Sequence, residues 1–133
     1  MFVLHERLQA DTVFITDWPL CRVLLLNDAN YPWLVLVPRR KGVSELHELD
    51  QDDRQTVIEE IAKASHCLQN HVKAHKMNVG ALGNVVPQLH IHVIARFDGD
   101  AAWPRPVWGA VPAKPYEAAE LEAHVTALRR LLR

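Results

Sequence analysis

Cysteine and glycine are scarce: two and five in 133 residues. Cys21 and Cys67 form no CxxC pair and no zinc-ribbon spacing, so both read as isolated, buried thiols, one in a strand and one in a helix. Neither sign of charge is in excess, since 15 Lys and Arg face 16 Asp and Glu, a formal net charge of −1. That balance argues against broad electrostatic capture of a nucleic-acid polymer, though not against a nucleotide held locally. No apolar run approaches the ~20 residues that cross a bilayer. The opening MFVLHERLQA is charged by Glu6 and Arg7 and has no signal-peptide core. The expectation is a cytoplasmic protein with no membrane partner.

With 49% hydrophobic residues, the chain has enough apolar mass for one core, and it reads as a single domain over 1–133. Phe2 to Leu8 and Thr12 to Trp18 read as early strands. CRVLLL (Cys21 to Leu26) and WLVLV (Trp33 to Val37) flank the turn formers Asn27-Asp28-Ala29-Asn30, a hairpin in mid-sheet. Asp50 suits a helix N-cap and Asp52 and Asp53 a first turn. Val57, Ile58, Ile61, Ala64, Leu68 and Val72 then keep helical spacing, which predicts a helix to about His75. Met77 to Gly80 and Gln88 to Ala95 read as strands. Residues 96–133 form an extension: an irregular stretch with Trp103, Trp108 and four prolines, then a helix with Leu121, Val125, Leu128 and Leu132 on one side. This order predicts an α+β fold, an antiparallel sheet with helices on one side.

The stretch that carries chemistry is VVPQLHIHVIAR, Val85 to Arg96. Strand alternation sends Gln88, His90 and His92 to one face and Leu89, Ile91 and Val93 to the other. Gly80, Gly83 and Asn84 precede it in a loop whose backbone can approach phosphate. On spacing alone three readings stay open. One is a solvated sheet face. Another is a metal pair completed from His47, His66, His71 or His75. The third is an imidazole that attacks phosphorus.

The stretch from Asn78 to Ile94 resembles the histidine triad (HIT) superfamily, whose pattern is a glycine loop followed by His-x-His-x-His and two apolar residues. LLLNDANYPWLVLVPRRKGVSELHEL resembles the family's hairpin and its lead into the long helix, so the likeness covers roughly Leu8 to Arg96. The resemblance implies a HIT-like antiparallel sheet with a long helix and a homodimer joined across that helix and the neighbouring strand. It implies a nucleotide hydrolase or nucleotidyl transferase with no cofactor and no required metal. His90 falls on the nucleophile that attacks the α-phosphate of a nucleoside phosphate derivative. His92 falls on the last triad position, and Gln88 replaces the first histidine. By the same match Asn84 and Gly83 lie at the phosphate, Asn27 at the ribose, and Leu8 and Leu25 near the base. Trp33 stands where many members have a histidine, and Val85 where serine is frequent. Glutamine cannot give a proton to a leaving group. A nucleotide-binding or scaffold protein without turnover is therefore the alternative.

Overall fold

The computed structural model describes Met1 to Arg133. In chain order it contains α1 (Glu6–Asp11), β1 (Thr12–Asp17), β2 (Cys21–Leu26), β3 (Trp33–Pro38), a 3-10 turn (Leu46–Glu48), α2 (Gln51–Val72), β4 (Lys76–Gly80), β5 (Ile91–Arg96) and α3 (Ala118–Leu132). The strands form one open antiparallel sheet ordered β1-β2-β3-β5-β4. This is the α+β architecture expected.

The unbroken apolar runs of β2 and β3 follow from their place at the centre of the sheet. Every residue of β3 is buried, because both faces of the strand are covered. Val23, Leu25, Leu34, Leu36, Ile91 and Val93 pack with Val57, Ala64 and Leu68 of α2 and Leu128 and Leu132 of α3. Leu24, Trp33, Val35, Val37 and Ile94 point the other way, toward Leu8, Tyr31, Val86, Ala102 and Val107. Each fully buried branched or aromatic side chain contributes about 1.5–3 kcal/mol.

The long helix starts where the sequence predicts, with the Asp50 carboxylate accepting from the Asp53 N–H. It stops at Val72, short of His75, because Lys73 turns left-handed at φ 58°. The Ala74 N–H then reaches back to the Gln69 carbonyl, and the His75 N–H bonds to Arg96 O at the start of β4. Cys21 is fully buried and Cys67 partly so. Burial and the adjacent Glu60 push the Cys21 thiol well up.

Three expectations need correction. The stretch predicted as a strand over Phe2 to Leu8 ends instead in helix α1, whose first turn is capped by the His5 ring accepting from the Arg7 N–H. The preceding residues are tied to the Gln88 side chain rather than to a neighbouring strand. The last strand begins at Ile91, not Gln88, since its pairing ends at Leu36↔Ile91 on one side and Gly80↔His92 on the other. Beyond that point the backbone serves other partners, such as Leu89 N–H to Val43 O. Finally, α2 and α3 share one side of the sheet as expected, but the other side is covered too, by α1 and the irregular segment after β5.

Candidate active site

His90 sits just before β5, 7% exposed. Its Nδ1 lies 2.7 Å from the Gln88 carbonyl oxygen. A carbonyl only accepts, so in the neutral ring Nδ1 carries the proton and Nε2 the lone pair. His92 stands next to it, the ring centroids 4.9 Å apart and the planes at 75°. Register explains what holds His92. Val35 of β3 is its direct partner, and Trp33, two residues earlier on the same face, reaches it diagonally. The Trp33 Nε1–H donates to His92 Nδ1 at 2.9 Å.

Trp108 closes the other side, its ring 5.5 Å from His92 and 6.4 Å from Trp33. It can do so because Gly80, the cross-strand partner of His92, has no side chain. A Cβ there would lie 3.0 Å from Trp108 Cη2. Enclosed by these rings, His92 has its pKa pushed down to about 4, first by burial and then by the neighbouring charge of His90.

Two cavities lie around the site, the smaller of them lined by His90. The larger, about 550 Å³, has Asp11, Leu26, Asn27, Trp33, Trp108 and Val111 among its walls. The same two indoles that enclose His92 therefore face this cavity. The smaller, about 200 Å³, is bounded by Ser44, His47, Leu82, Gly83, Leu89 and His90. Gly83 takes φ 77° there, a backbone conformation that favours glycine.

The residues singled out from the sequence separate into groups. His90 and His92 come together, with Gly83 beside His90. Asn27 lines the larger cavity, while its Oδ1 accepts from the Tyr116 N–H at 2.9 Å. Gln88 is committed to the N-terminal backbone: Oε1 accepts from His5 N–H at 2.8 Å and Nε2 donates to Val3 O at 2.9 Å. Asn84 is exposed and makes no side-chain hydrogen bond within the chain. Leu8 is buried on the histidine side of the sheet. Leu25 is not: alternation sends it under the helices, and Leu26 faces the cavity in its place.

The other histidines serve local contacts. His75 accepts from Asp98 N–H, His71 stacks on His124, and His66 lies beside Asn70. Arg39 and Arg40, just after β3, brace loops, Arg39 on the carbonyls of Trp18, Pro19 and Leu20, Arg40 on Asp53.

Sequence reasoning missed the anchor of the segment that delivers Trp108. Arg96, 1% exposed, pairs with Asp100 at 2.8 and 3.0 Å and donates to Asn78 Oδ1 at 2.7 Å. The Tyr31 and Trp103 rings flank its guanidinium. Asp100 also accepts from the N–H groups of Phe97, Ala102 and Trp103. An arginine ending an apolar strand, with an aspartate four residues on, was the available signal.

The HIT domain model matches residues 7–99, and the chain belongs to that family. Histidine triad proteins from Bradyrhizobium japonicum and Marinobacter aquaeolei are similar over 99% of this chain, at 48% and 46% identity and TM-scores of 0.96 for both. The match covers 98% and 96% of those chains. A Mycobacterium tuberculosis AP-4-A phosphorylase is 35% identical over 85 residues, 59% of this chain. The chain spans 43% of that relative's length.

Proposed function

We propose that the protein is a nucleotide hydrolase or nucleotidyl transferase that works through a nucleotidyl-histidine intermediate on His90. The observation that carries this reading is the bond from His90 Nδ1 to the Gln88 carbonyl, which in the neutral ring places the lone pair on Nε2. That lone pair attacks the α-phosphorus of a nucleoside phosphate derivative, and the bond to the leaving group breaks. Water or another acceptor then attacks phosphorus, and Nε2 departs with its electron pair. His92 offers Nε2–H to a phosphoryl oxygen, and Gly83 and Asn84 place backbone and amide donors at the phosphates. Asn27 and Leu26 face the nucleoside in the larger cavity, with Leu8 packed behind. The name of the mycobacterial relative supports a dinucleoside polyphosphate among the substrates. Dimerisation across α2 and the β4 edge, where Ile58 and Val79 are exposed, completes the reading, together with a cytoplasmic location.

Gln88 favours one second reading. Its amide is held by backbone, so it lies outside leaving-group chemistry, and a binding protein without turnover would tolerate this arrangement. Intact-protein mass after rapid acid-free quenching decides between the two. Wild type and His90→Ala are mixed with dinucleoside polyphosphates, nucleoside phosphoramidates and nucleotide sugars, and products are scored in the same tubes. Adduct or product from wild type and neither from the variant supports catalysis. Bound nucleotide with neither adduct nor product means binding alone.

A further inference from the structure

The two histidines of the site are fixed by opposite kinds of partner. His90 Nδ1 faces an acceptor, the Gln88 carbonyl, and must carry a proton. His92 Nδ1 faces a donor, the Trp33 indole N–H, and must not. An imidazolium at His92 would set its own Nδ1–H against the Trp33 N–H at 2.9 Å, two donors with no acceptor between them. The rings against His92 are Trp33, Trp108 and His90, and only His90 titrates. Its strand partners in register are the uncharged Val35 and Gly80. Burial works in the same direction, pushing His92 to about 4.

The third polar residue of the motif supplies no proton either, since an amide is not an acid and Gln88 is bonded at both ends to residues 3 and 5. We propose that Trp33 is a positioning residue that holds His92 as a neutral Nε2–H donor, so that the site expels only leaving groups that depart unprotonated. The substrate class that fits is the phosphoanhydride rather than the phosphoramidate. This inference rests on the His90 mechanism proposed above.

The two classes differ at one bond. When His90 Nε2 bonds to the α-phosphorus of an anhydride, the bridging oxygen takes the electron pair and leaves as a phosphate or polyphosphate anion. Such an oxygen ionises near neutral pH and needs no proton. When the bond broken is P–N, the nitrogen must be protonated before it leaves, or it departs as a strongly basic amide anion. A missing general acid is typically worth ~10²–10⁴ in rate. Another imidazole near the nucleophile is His47, which shares the small cavity with His90.

The test compares a diadenosine polyphosphate with an adenosine phosphoramidate on the full-length wild type, Trp33→Phe and His47→Ala, from pH 5 to 8. Nitrogen-15 NMR of the imidazoles accompanies the kinetics. Wild type is expected to cleave the anhydride with a kcat/KM at least ~10²-fold above that of the phosphoramidate. Its His92 Nδ1 should show the resonance of an unprotonated ring nitrogen throughout. Trp33→Phe keeps an aromatic ring but removes the N–H. It should raise the phosphoramidate-to-anhydride ratio at pH 5 at least about tenfold as His92 gains a titratable Nδ1. Its KM for the anhydride should change less than its kcat.

Phosphoramidate cleavage by wild type within tenfold of the anhydride overturns the inference while leaving the His90 mechanism intact. If His47→Ala then abolishes that cleavage, His47 is the acid. A proton on His92 Nδ1 in wild type at pH 7 overturns it as well, as does a Trp33→Phe ratio and pH profile equal to wild type. No adduct and no product from either substrate brings down both readings together.

Discussion

The two faces of the sheet are built from different materials. Under α2 and α3 the packing is apolar, and the one buried charge, Glu60, is satisfied by the N–H groups of Leu20 and Cys21. On the opposite face the cover is short helix and loop, and buried polar groups accumulate: His90, Asp28 and Arg96, with His92 half-buried among indoles. Regular helices satisfy their own backbone and can blanket a sheet with Leu, Val and Ala. Irregular segments can instead leave cavities and aim single atoms, which is why chemistry settles under them. Function should therefore reside on the irregular face, while the helix face contributes stability alone.

Four predictions sharpen or break that contrast. The largest effect is expected from His90→Ala, which should cut turnover by about 10⁴-fold or more while leaving the melting curve close to wild type. Adduct formation and product release in parallel assays check it. A similar loss from a helix-face variant would erase the distinction.

Arg96→Met comes next. Removing the guanidinium strands the buried Asp100 carboxylate, a mechanism that typically costs about 3–5 kcal/mol. Urea unfolding measures this, and Trp fluorescence should report the loosened Trp108. Burial raises the Asp100 pKa, but Arg96 and three backbone N–H donors outweigh it and hold the carboxyl well below the usual carboxylate range. A carboxylate depressed on folding stabilises above its unfolded pKa and loses that contribution as pH falls. Wild type should thus lose stability progressively below about pH 4, and an Arg96→Met, Asp100→Leu double variant should lose less over the same range.

Leu68→Ala tests the helix side. Leu68 is fully buried between α2 and the sheet, so the cavity should cost about 2–5 kcal/mol in unfolding free energy. Below the transition its kcat and KM should match wild type, and a shift in either would show that the faces are coupled.

The smallest effect is expected from Gly80→Ala. The added methyl meets Trp108 Cη2 at 3.0 Å, a close contact costing about 1–3 kcal/mol. The indole must shift, so KM should rise more than stability falls. Steady-state kinetics beside a melting curve separates the two.

The helix face was the more legible half in the sequence. Period 3.6 in Val57 to Leu68, the Asp50 cap and the apolar runs of β2 and β3 are local or nearest-neighbour signals. The histidine face was legible only where it followed a recognisable pattern, at His90, His92 and Gly83. The short apolar run before α1 invited a strand, and only the Gln88 bonds to Val3 and His5, 85 and 83 residues away, gave it another partner. Leu25 and Leu26 differ by one residue and lie on opposite faces, a parity that needs the sheet register to decide.

The amino-acid pattern by itself determined the sheet's central strands, the long helix and the identity of the imidazole pair, because periodicity and motif spacing act over a few residues. What those imidazoles can do was decided by contacts between distant segments. Trp33 meets His92 across 59 positions, and Trp108 reaches both through the gap left by Gly80. Gln88, which the motif sets at the first triad position, is bonded in the fold to the N-terminal backbone. A side chain's proton is placed by the donor or acceptor facing it, and that partner is chosen only when the chain closes on itself.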